Sequence, residues 1–498
     1  MTLTQMKDTS SSLSVNENNL DALSTRMQTP TYDRSALGSG ILHMSIGGFH
    51  RAHQAFYLDE LLSLQPDNWM ITGVGLLPQD ETNCNNLKEQ DSLYTVLQRS
   101  NTEDAARIIG SIKTVIHAPT EQAACIEKLC SPDIRIVSLT ITEKGYMYNE
   151  KSELDLSHPI VQHDIANPQT PQSALGYLTL ALKTRRDNGT PAFTIMSCDN
   201  LPGNGDLTKK ILLSFIAECD ADLCRWVEDN VSFPNAMVDR ITPVTTDKII
   251  STIAENYGVD DKWPVICEDY IQWVLEDKFV NGRPAFEDVG VQMVDDVEPY
   301  EKMKVRLLNG SHSALSYLSY LMGYRDVDLA MADPLIREFV KKYMDEDITD
   351  SVPDVPGIDL ESYKDILIER FSNKAVRDQI QRLAEDGSQK IPNAIVPCAI
   401  HQIEQGGSIK HIALAIACWY KYLTGVDEEL QPIEIKDPMA DEICAIAKST
   451  PNDPARFLQI ERIFGKLSHD ATFINAVQSA LNDINEDGVK VTLQRTLK

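Results

Sequence analysis

The sequence predicts an α/β domain built on a parallel sheet, followed by a domain that is mostly helical. Three observations predict it. A first strand at 41–46 (ILHMSI) runs into Gly47-Gly48 and then into a helical period, with Ala55, Leu58, Leu61 and Leu62 at i, i+3, i+6 and i+7. Two further runs, 134–142 (IRIVSLTIT) and 192–198 (AFTIMSC), are almost continuously apolar and β-branched, as strands buried on both faces must be. Beyond about residue 310, helical periods take over, at 310–322, 335–344, 361–370, 375–384, 409–422, 441–448, 454–464 and 470–482, with glycine and proline loops between them.

A chain of 498 residues is too long for one hydrophobic core. We divide it into 1–37, a flexible lead-in rich in Ser, Thr, Asn and Asp, then 38–294 and 295–498. With 46 basic against 74 acidic residues the net charge is −28, which argues against nucleic acid or an anionic membrane as partner. The closest cysteine pairs, Cys125 with Cys130 and Cys219 with Cys224, lack the spacing of a zinc site, and reduced thiols of a cytoplasmic protein fit best. No apolar run approaches the ~20 residues of a membrane span, and the N-terminus lacks the apolar block of a secretory signal.

Strand, glycine turn and helix form the opening unit of a Rossmann-type, dinucleotide-binding domain. Glycines let the backbone approach a pyrophosphate, so Ile46, Gly47, Gly48 and Phe49 are candidate cofactor residues, with Arg51 as a cation beside them. An ordinary turn between strand and helix fits the same residues. The second strand is expected at 69–76 (WMITGVGL). Asp80 follows four residues later, placed to read a ribose 2′-OH and to favour NAD; no arginine adjoins it, although NADP is not excluded. Residues 93–98 and 107–116 alternate well enough for a hairpin across 99–106.

The strand at 134–142 ends at Glu143-Lys144-Gly145-Tyr146, and a helix is expected at 172–186. The strand at 192–198 ends at Asp199-Asn200-Leu201-Pro202-Gly203. Ligands of open parallel sheets bind beyond the carboxyl ends of the strands, so Asn200 is placed to orient a substrate oxygen; an Asx turn before Pro202 is the other reading. A helix is expected at 207–226, Asp239 and Arg240 lie together at 233–242, and short strands are expected at 265–268 and 289–294.

The segment 301–314 (EKMKVRLLNGSHSA) opens the second domain. Wound as an α-helix, it sets Asn309 about 140° and His312 about 80° from Lys304, one broad polar face. A lysine held against apolar walls beside an amide and an imidazole is a candidate general base, since desolvation lowers its proton affinity toward working pH. A solvated lysine, a turn asparagine and a core histidine fit the spacing equally. His50 and His53 have no third ligand nearby, so no metal site is expected.

Taken together, GGFHRAHQAFYLDELL, ITGVGL, IRIVSLTITEKGY, FTIMSCDNLPGNG, SFPNAMVDRITP, VLEDKFVNGRP and EKMKVRLLNGSHSAL resemble the polyol-specific long-chain dehydrogenase family, from about residue 40 to the C-terminus. The last stretch matches its Lys-x4-Asn-x2-His signature. The resemblance implies NAD-dependent, zinc-independent oxidation of a polyol at C2, D-mannitol to D-fructose, in a monomeric enzyme whose partner is a small polyol or ketose. A sorbitol or arabinitol dehydrogenase, a hexuronate reductase and a non-catalytic nucleotide- or sugar-binding protein are the rivals. It implies Lys304 as base, Asn200 and Asn309 on the reacting oxygen, His312 on a polyol hydroxyl, and Glu301 passing protons to solvent. Asp239, Arg382 and Lys390 would line the substrate. One departure stands out: the family turn reads Gly-x-Gly-x-Phe-His-Arg, and Ser45 occupies the first glycine position.

Overall fold

Every residue of the strand before the glycine pair, Ser39–Met44 (β1), is buried. The structure is a computed structural model and describes residues 12–149 and 151–498. β1 lies in a parallel sheet with Met70–Gly75 (β2), Ile112–His117 (β3), Ile136–Leu139 (β4) and Thr194–Ser197 (β5), in the order β3-β2-β1-β4-β5. Leu42 pairs with Thr72 on one side and Val137 on the other, and Val137 with Ile195. The chain works outward from β1 to one edge and then to the other, so the strand order reverses between β1 and β4, the point at which such sheets bind ligands.

Period-two alternation assigns each strand residue to a face. Leu42, Val137 and Ile195 enter one apolar cluster, with Leu129, Leu178 and Phe215 from helices Gln122–Cys130, Ala174–Asn188 and Asn204–Cys219. Ile41, Ile136 and Met196 enter the other, with Phe56 and Leu61 of helix Gln54–Leu64 and with Trp273 and Phe286. Covered faces on both sides explain why these strands read as continuous apolar runs.

Several expectations are corrected. Residues 12–37 are not a free lead-in. Leu13 and Ser14 pair with Val259 and Asp260, Tyr32 donates to Asp59 (2.7 Å), and the Arg34 guanidinium donates to the carbonyls of Gly110 and Ile112 (2.8 and 2.9 Å). The segment is ordered because Val15, Leu23 and Met27 bury into an apolar cluster with Leu93, Leu97 and Ile253 and because a buried arginine ties it down; the remainder of that expectation, 1–11, lies outside the described residues. The hairpin is Tyr94–Arg99 with Asp104–Ile109, and 112–116 belongs instead to β3 in the parallel sheet. The chain switches sheets at Gly110, where a Cβ would stand 2.6 Å from Pro30. The helix expected at 207–226 breaks at Asp220, whose carboxylate caps a second helix, Ala221–Asn230, through the N–H groups of Asp222 and Leu223. Val265–Glu268 pairs with Tyr94–Arg99, and Gln272–Glu276 joins Ala236–Asp239 to Gln292–Val294; the strands at 236–239 and 272–276 were not expected.

The chain divides after Val297, and the second unit is Glu298–Lys498. At its centre lies Gly310–Leu321, in which every residue except His312 is buried. Lys410–Tyr422 is buried along most of its length and packs on Ala471–Thr496, which kinks at Gly488 (φ 81°). The period at 375–384 yields a helix only over Ile380–Ala384, because Asn373 caps the N–H of Ala375 and Arg377 takes a left-handed φ of 52°. The period at 454–464 yields two short helices, Ala455–Leu458 and Glu461–Phe464. Helices Val327–Met331, Gly387–Ala394 and Val396–Gln405 were not expected.

Candidate active site

In the first unit, the turn after β1 is held by its own backbone. Ser45 takes a left-handed φ of 76°, its N–H bonds the Val74 carbonyl, and its carbonyl accepts from Gly47 N–H and Thr140 Oγ1, all at 2.8 Å. A serine therefore adopts the geometry that glycine supplies elsewhere, held by a ladder in which His43 Nε2 meets Thr140 Oγ1 (2.9 Å). Gly47 is exposed, and a Cβ built on it would meet nothing within 4 Å, which leaves open space for a bound group. Ile46 is buried and packs where a Cβ on Gly73 would be (2.5 Å), and the Phe49 ring stacks on His53 (4.9 Å).

Arg51 is not at that opening. It is buried, donates to the Trp263 carbonyl and lies over the Trp263 ring at 3.6 Å, while its own carbonyl accepts from Tyr94 Oη. A cation stacked between aromatic faces holds the fold together and is withdrawn as a phosphate ligand. Asp80 ends the short turn Pro78–Asp80 beyond β2, and its Oδ2 accepts from Leu77 N–H (2.9 Å). At the end of β5, the Asp199 carboxylate is buried and accepts from the N–H groups of Ile141 and Thr142 and from Tyr146 Oη. Burial pushes its proton affinity up, against the pull of those donors. The loop after β5 is thus tied to the loop after β4, and Asn200 stands exposed beside the tie. Asn204 completes it, donating to the carbonyls of Asp199 and Ala236. Asp239 closes its strand almost fully buried, next to Arg240, which donates to the Ala52 carbonyl.

In the second unit, the lysine segment is not plain α-helix. Lys304–Asn309 is a π-helical turn between Glu298–Met303 and Gly310–Leu321, and Gly310 N–H reaches back to the Val305 carbonyl. An i→i+5 turn winds more loosely than an α-helix, so Asn309 falls nearer to Lys304 around the axis than the about 140° of a plain α-helix. The α-helical spacing on either side adds Glu301 at i−3 and His312 three residues beyond Asn309. The four polar residues fall on one broad face. Lys304 is 6% exposed, so the amine is not in bulk water.

His312 packs on Phe371, with ring centroids 4.6 Å apart. The residue keeps some exposed area, yet burial and the cations Arg382, Arg370 and Lys390 push its proton affinity down to about 3, against the opposing pull of Asp378. The imidazole is neutral at any working pH. Arg382 is exposed and forks onto Asp378 in the preceding turn, with Nε at 2.8 Å. Lys390 donates to the Leu383 carbonyl (3.4 Å), and burial lowers its proton affinity while Asp386 raises it. His312, Arg382 and Lys390 thus share one neighbourhood. Among the described residues, no group of three or more His, Cys, Asp or Glu side chains could hold a metal ion.

A family model for the mannitol dehydrogenase Rossmann domain matches residues 39–288, and one for the mannitol dehydrogenase C-terminal domain matches 296–485. The chain belongs to the mannitol dehydrogenase family. Mannitol 2-dehydrogenases of Aspergillus fumigatus and Pyricularia oryzae are each 42% identical to it, over 97% and 94% of this chain and 99% and 95% of theirs. The Pseudomonas fluorescens mannitol 2-dehydrogenase, solved as a ternary complex with NAD and D-mannitol, is 45% identical, with a TM-score of 0.86 over 97% of this chain and 99% of that one. A D-sorbitol dehydrogenase in substrate-free form is 36% identical, with a TM-score of 0.91 over 97% and 100%.

Against this mannitol dehydrogenase background, sequence reasoning missed Arg370 and Asp378. Arg370 closes helix Leu360–Phe371 and is 7% exposed. Its signal was faint: an arginine at the end of an amphipathic helix normally reads as a solvated partner of the last carbonyls. Asp378 sits in a stretch that the apolar period assigned to a helix, which hid its position four residues before Arg382.

Proposed function

We propose that the chain is an NAD-dependent polyol dehydrogenase that reversibly oxidises D-mannitol at C2 to D-fructose, with a lysine general base and no metal. The observation that supports the reading is that Glu301, Lys304, Asn309 and His312 follow one another on the helical segment that carries the π-turn, in a chain that resembles a mannitol 2-dehydrogenase over nearly its whole length. The glycine turn and Asp80 fit the pyrophosphate and the ribose 2′-OH of NAD, since Gly47 fronts open space and only one Asp80 oxygen has a partner among the described residues. When bound, the nicotinamide supplies the hydride acceptor.

Lys304 takes the proton of the C2 hydroxyl as the hydride departs. The amides of Asn200 and Asn309 hydrogen-bond the oxygen as it becomes a carbonyl, and oriented donors act most strongly where water is excluded. His312, held neutral, offers one nitrogen as donor and the other as acceptor, which suits a hydroxyl. Glu301, one turn before the base, passes the proton to solvent. Asp239, Arg382 and Lys390 hold the remaining hydroxyls.

Asp378 favours a neutral polyol over a hexuronate. It already engages the Arg382 guanidinium, which a carboxylate substrate would otherwise claim. The similarity to a D-sorbitol dehydrogenase keeps D-sorbitol as the second reading. These polar residues weigh against a binding protein without catalysis. The proposal includes a cytoplasmic monomer. Its ten cysteines are unpaired, and among the described residues no helix is long and apolar enough to cross a membrane. The test is turnover, followed by NADH absorbance, on D-mannitol, D-sorbitol and D-fructuronate. D-mannitol is expected to give the highest kcat/KM, and a clear preference for either of the others overturns the assignment.

A further inference from the structure

The second unit contains a second π-turn, Tyr343–Ile348, that the proposed chemistry does not use. It is firmly seated. Asp347, fully buried, accepts from the N–H groups of His411 and Ile412 (3.0 and 2.9 Å) and meets His411 Nδ1 at 2.8 Å. Gln402 donates to the carbonyls of Glu346 and Asp347 (3.3 and 3.2 Å), which shields backbone acceptors of the turn from going unpaired.

The segment that carries Lys304 meets it, and the residues just after it, at two points. Arg306, inside the lysine turn, donates to the carbonyl of Ser351, which follows the second turn. Gly310, which closes the lysine turn, lies against Tyr343. A Cβ on Gly310 would stand 3.0 Å from the Tyr343 hydroxyl, closer than to any other atom. That hydroxyl is buried and has no hydrogen-bond partner among the described residues. A phenol left unpaired in a protein interior costs free energy without returning a bond, so its contribution here is shape: it fills the space that the missing Gly310 side chain leaves.

We propose that Tyr343 is a positioning residue, whose hydroxyl, wedged against Gly310 by the Asp347–His411 anchor, fixes the height of the lysine turn and so the reach of Lys304 toward the substrate hydroxyl. The inference rests on Lys304 being the base. A lysine turn pressed too far or allowed to sag misplaces the amine without touching the cofactor half of the site. Misplacement of a base lowers kcat and leaves cofactor binding alone.

The test uses the full-length enzyme with four variants: Tyr343→Phe, Gly310→Ala, the two combined, and Lys304→Ala. Tyr343→Phe empties the wedge and Gly310→Ala overfills it. Each is expected to lower kcat for D-mannitol by about tenfold, with KM for NAD unchanged. The double variant, in which the new methyl occupies the space of the lost hydroxyl, is expected to recover to within about threefold of the parent, the coupling typical of touching residues. Two results overturn the inference: a Tyr343→Phe enzyme with parental kcat, or a double variant as impaired as the product of the single ones. If Gly310→Ala does not fold, Tyr343→Phe alone decides. An active Lys304→Ala enzyme would instead refute the base assignment, so the two failures are separable.

Discussion

At the scale of single residues, His312 shows how placement sets chemistry. Burial, with a phenylalanine ring packed against it, and three neighbouring cations hold it neutral, with its proton affinity lowered to about 3. In the unfolded chain it titrates near the ordinary value of ~6.5. A folded value below the unfolded one means that its stabilising contribution is complete above ~6.5 and is lost as pH falls from there toward 3. Urea midpoints measured at pH 7, 5.5 and 4 should fall more steeply for the parent than for His312→Asn. Identical slopes would show that the imidazole ionises freely in the fold. Arg51 teaches the opposite lesson. Its neighbours along the chain suggest a phosphate ligand, but its partners Tyr94 and Trp263 lie 43 and 212 residues away, and no local pattern announces them.

At the scale of elements, two turns carry the site, and each departs from the default its sequence suggests. The turn after β1 asks for a glycine and has Ser45 at φ 76°. An L-residue in the left-handed region costs about 1–2 kcal/mol, partly offset because glycine would give the unfolded chain about 0.4–1 kcal/mol of extra entropy. Ser45→Gly is therefore expected to raise unfolding stability by about 1 kcal/mol in urea titration, while Ser45→Ala brings no gain; a destabilised Ser45→Gly protein would mean that the hydroxyl contributes more than the strain costs. The lysine turn is the more instructive case. The spacing of Lys304, Asn309 and His312 identified the residues, and an α-helical reading already put them on one broad face, but it did not show the π-turn that runs from Lys304 to Asn309. Nothing in residue type marks an i→i+5 turn. The glycine that closes it has little room for a side chain: a Cβ on Gly310 would stand 3.0 Å from the Tyr343 hydroxyl and 3.4 Å from the Ala394 carbonyl.

At the scale of the whole molecule, the parts legible in sequence were those that local physics decides. Strands buried on both faces must be apolar in both phases, so β1, β4 and β5 could be read directly. The strand–turn–helix unit gave the parallel, dinucleotide-binding class of the sheet, but its strand order came only with the structure. What escaped was decided at a distance: the ordering of 12–37 by Arg34 bonds to Gly110 and Ile112, and the transfer of 112–116 from a hairpin to the sheet edge. In the site, the polar face of the lysine segment was legible, but the π-turn within it was not. Arg370 and Asp378, charges that act on His312 in opposite directions, were not legible at all.

The account depends most on Lys304 acting as the base of an alcohol dehydrogenase, and the pH dependence of NADH formation from D-mannitol tests that most directly. For the parent, kcat is expected to rise with pH through a single ionisation to a plateau, as required when the base must be uncharged to accept a proton. Lys304→Ala is expected to lose that limb and several orders of magnitude in kcat while its affinity for NAD stays within a few-fold of the parent. A Lys304→Ala enzyme that keeps both its rate and the parental pH profile would contradict the account.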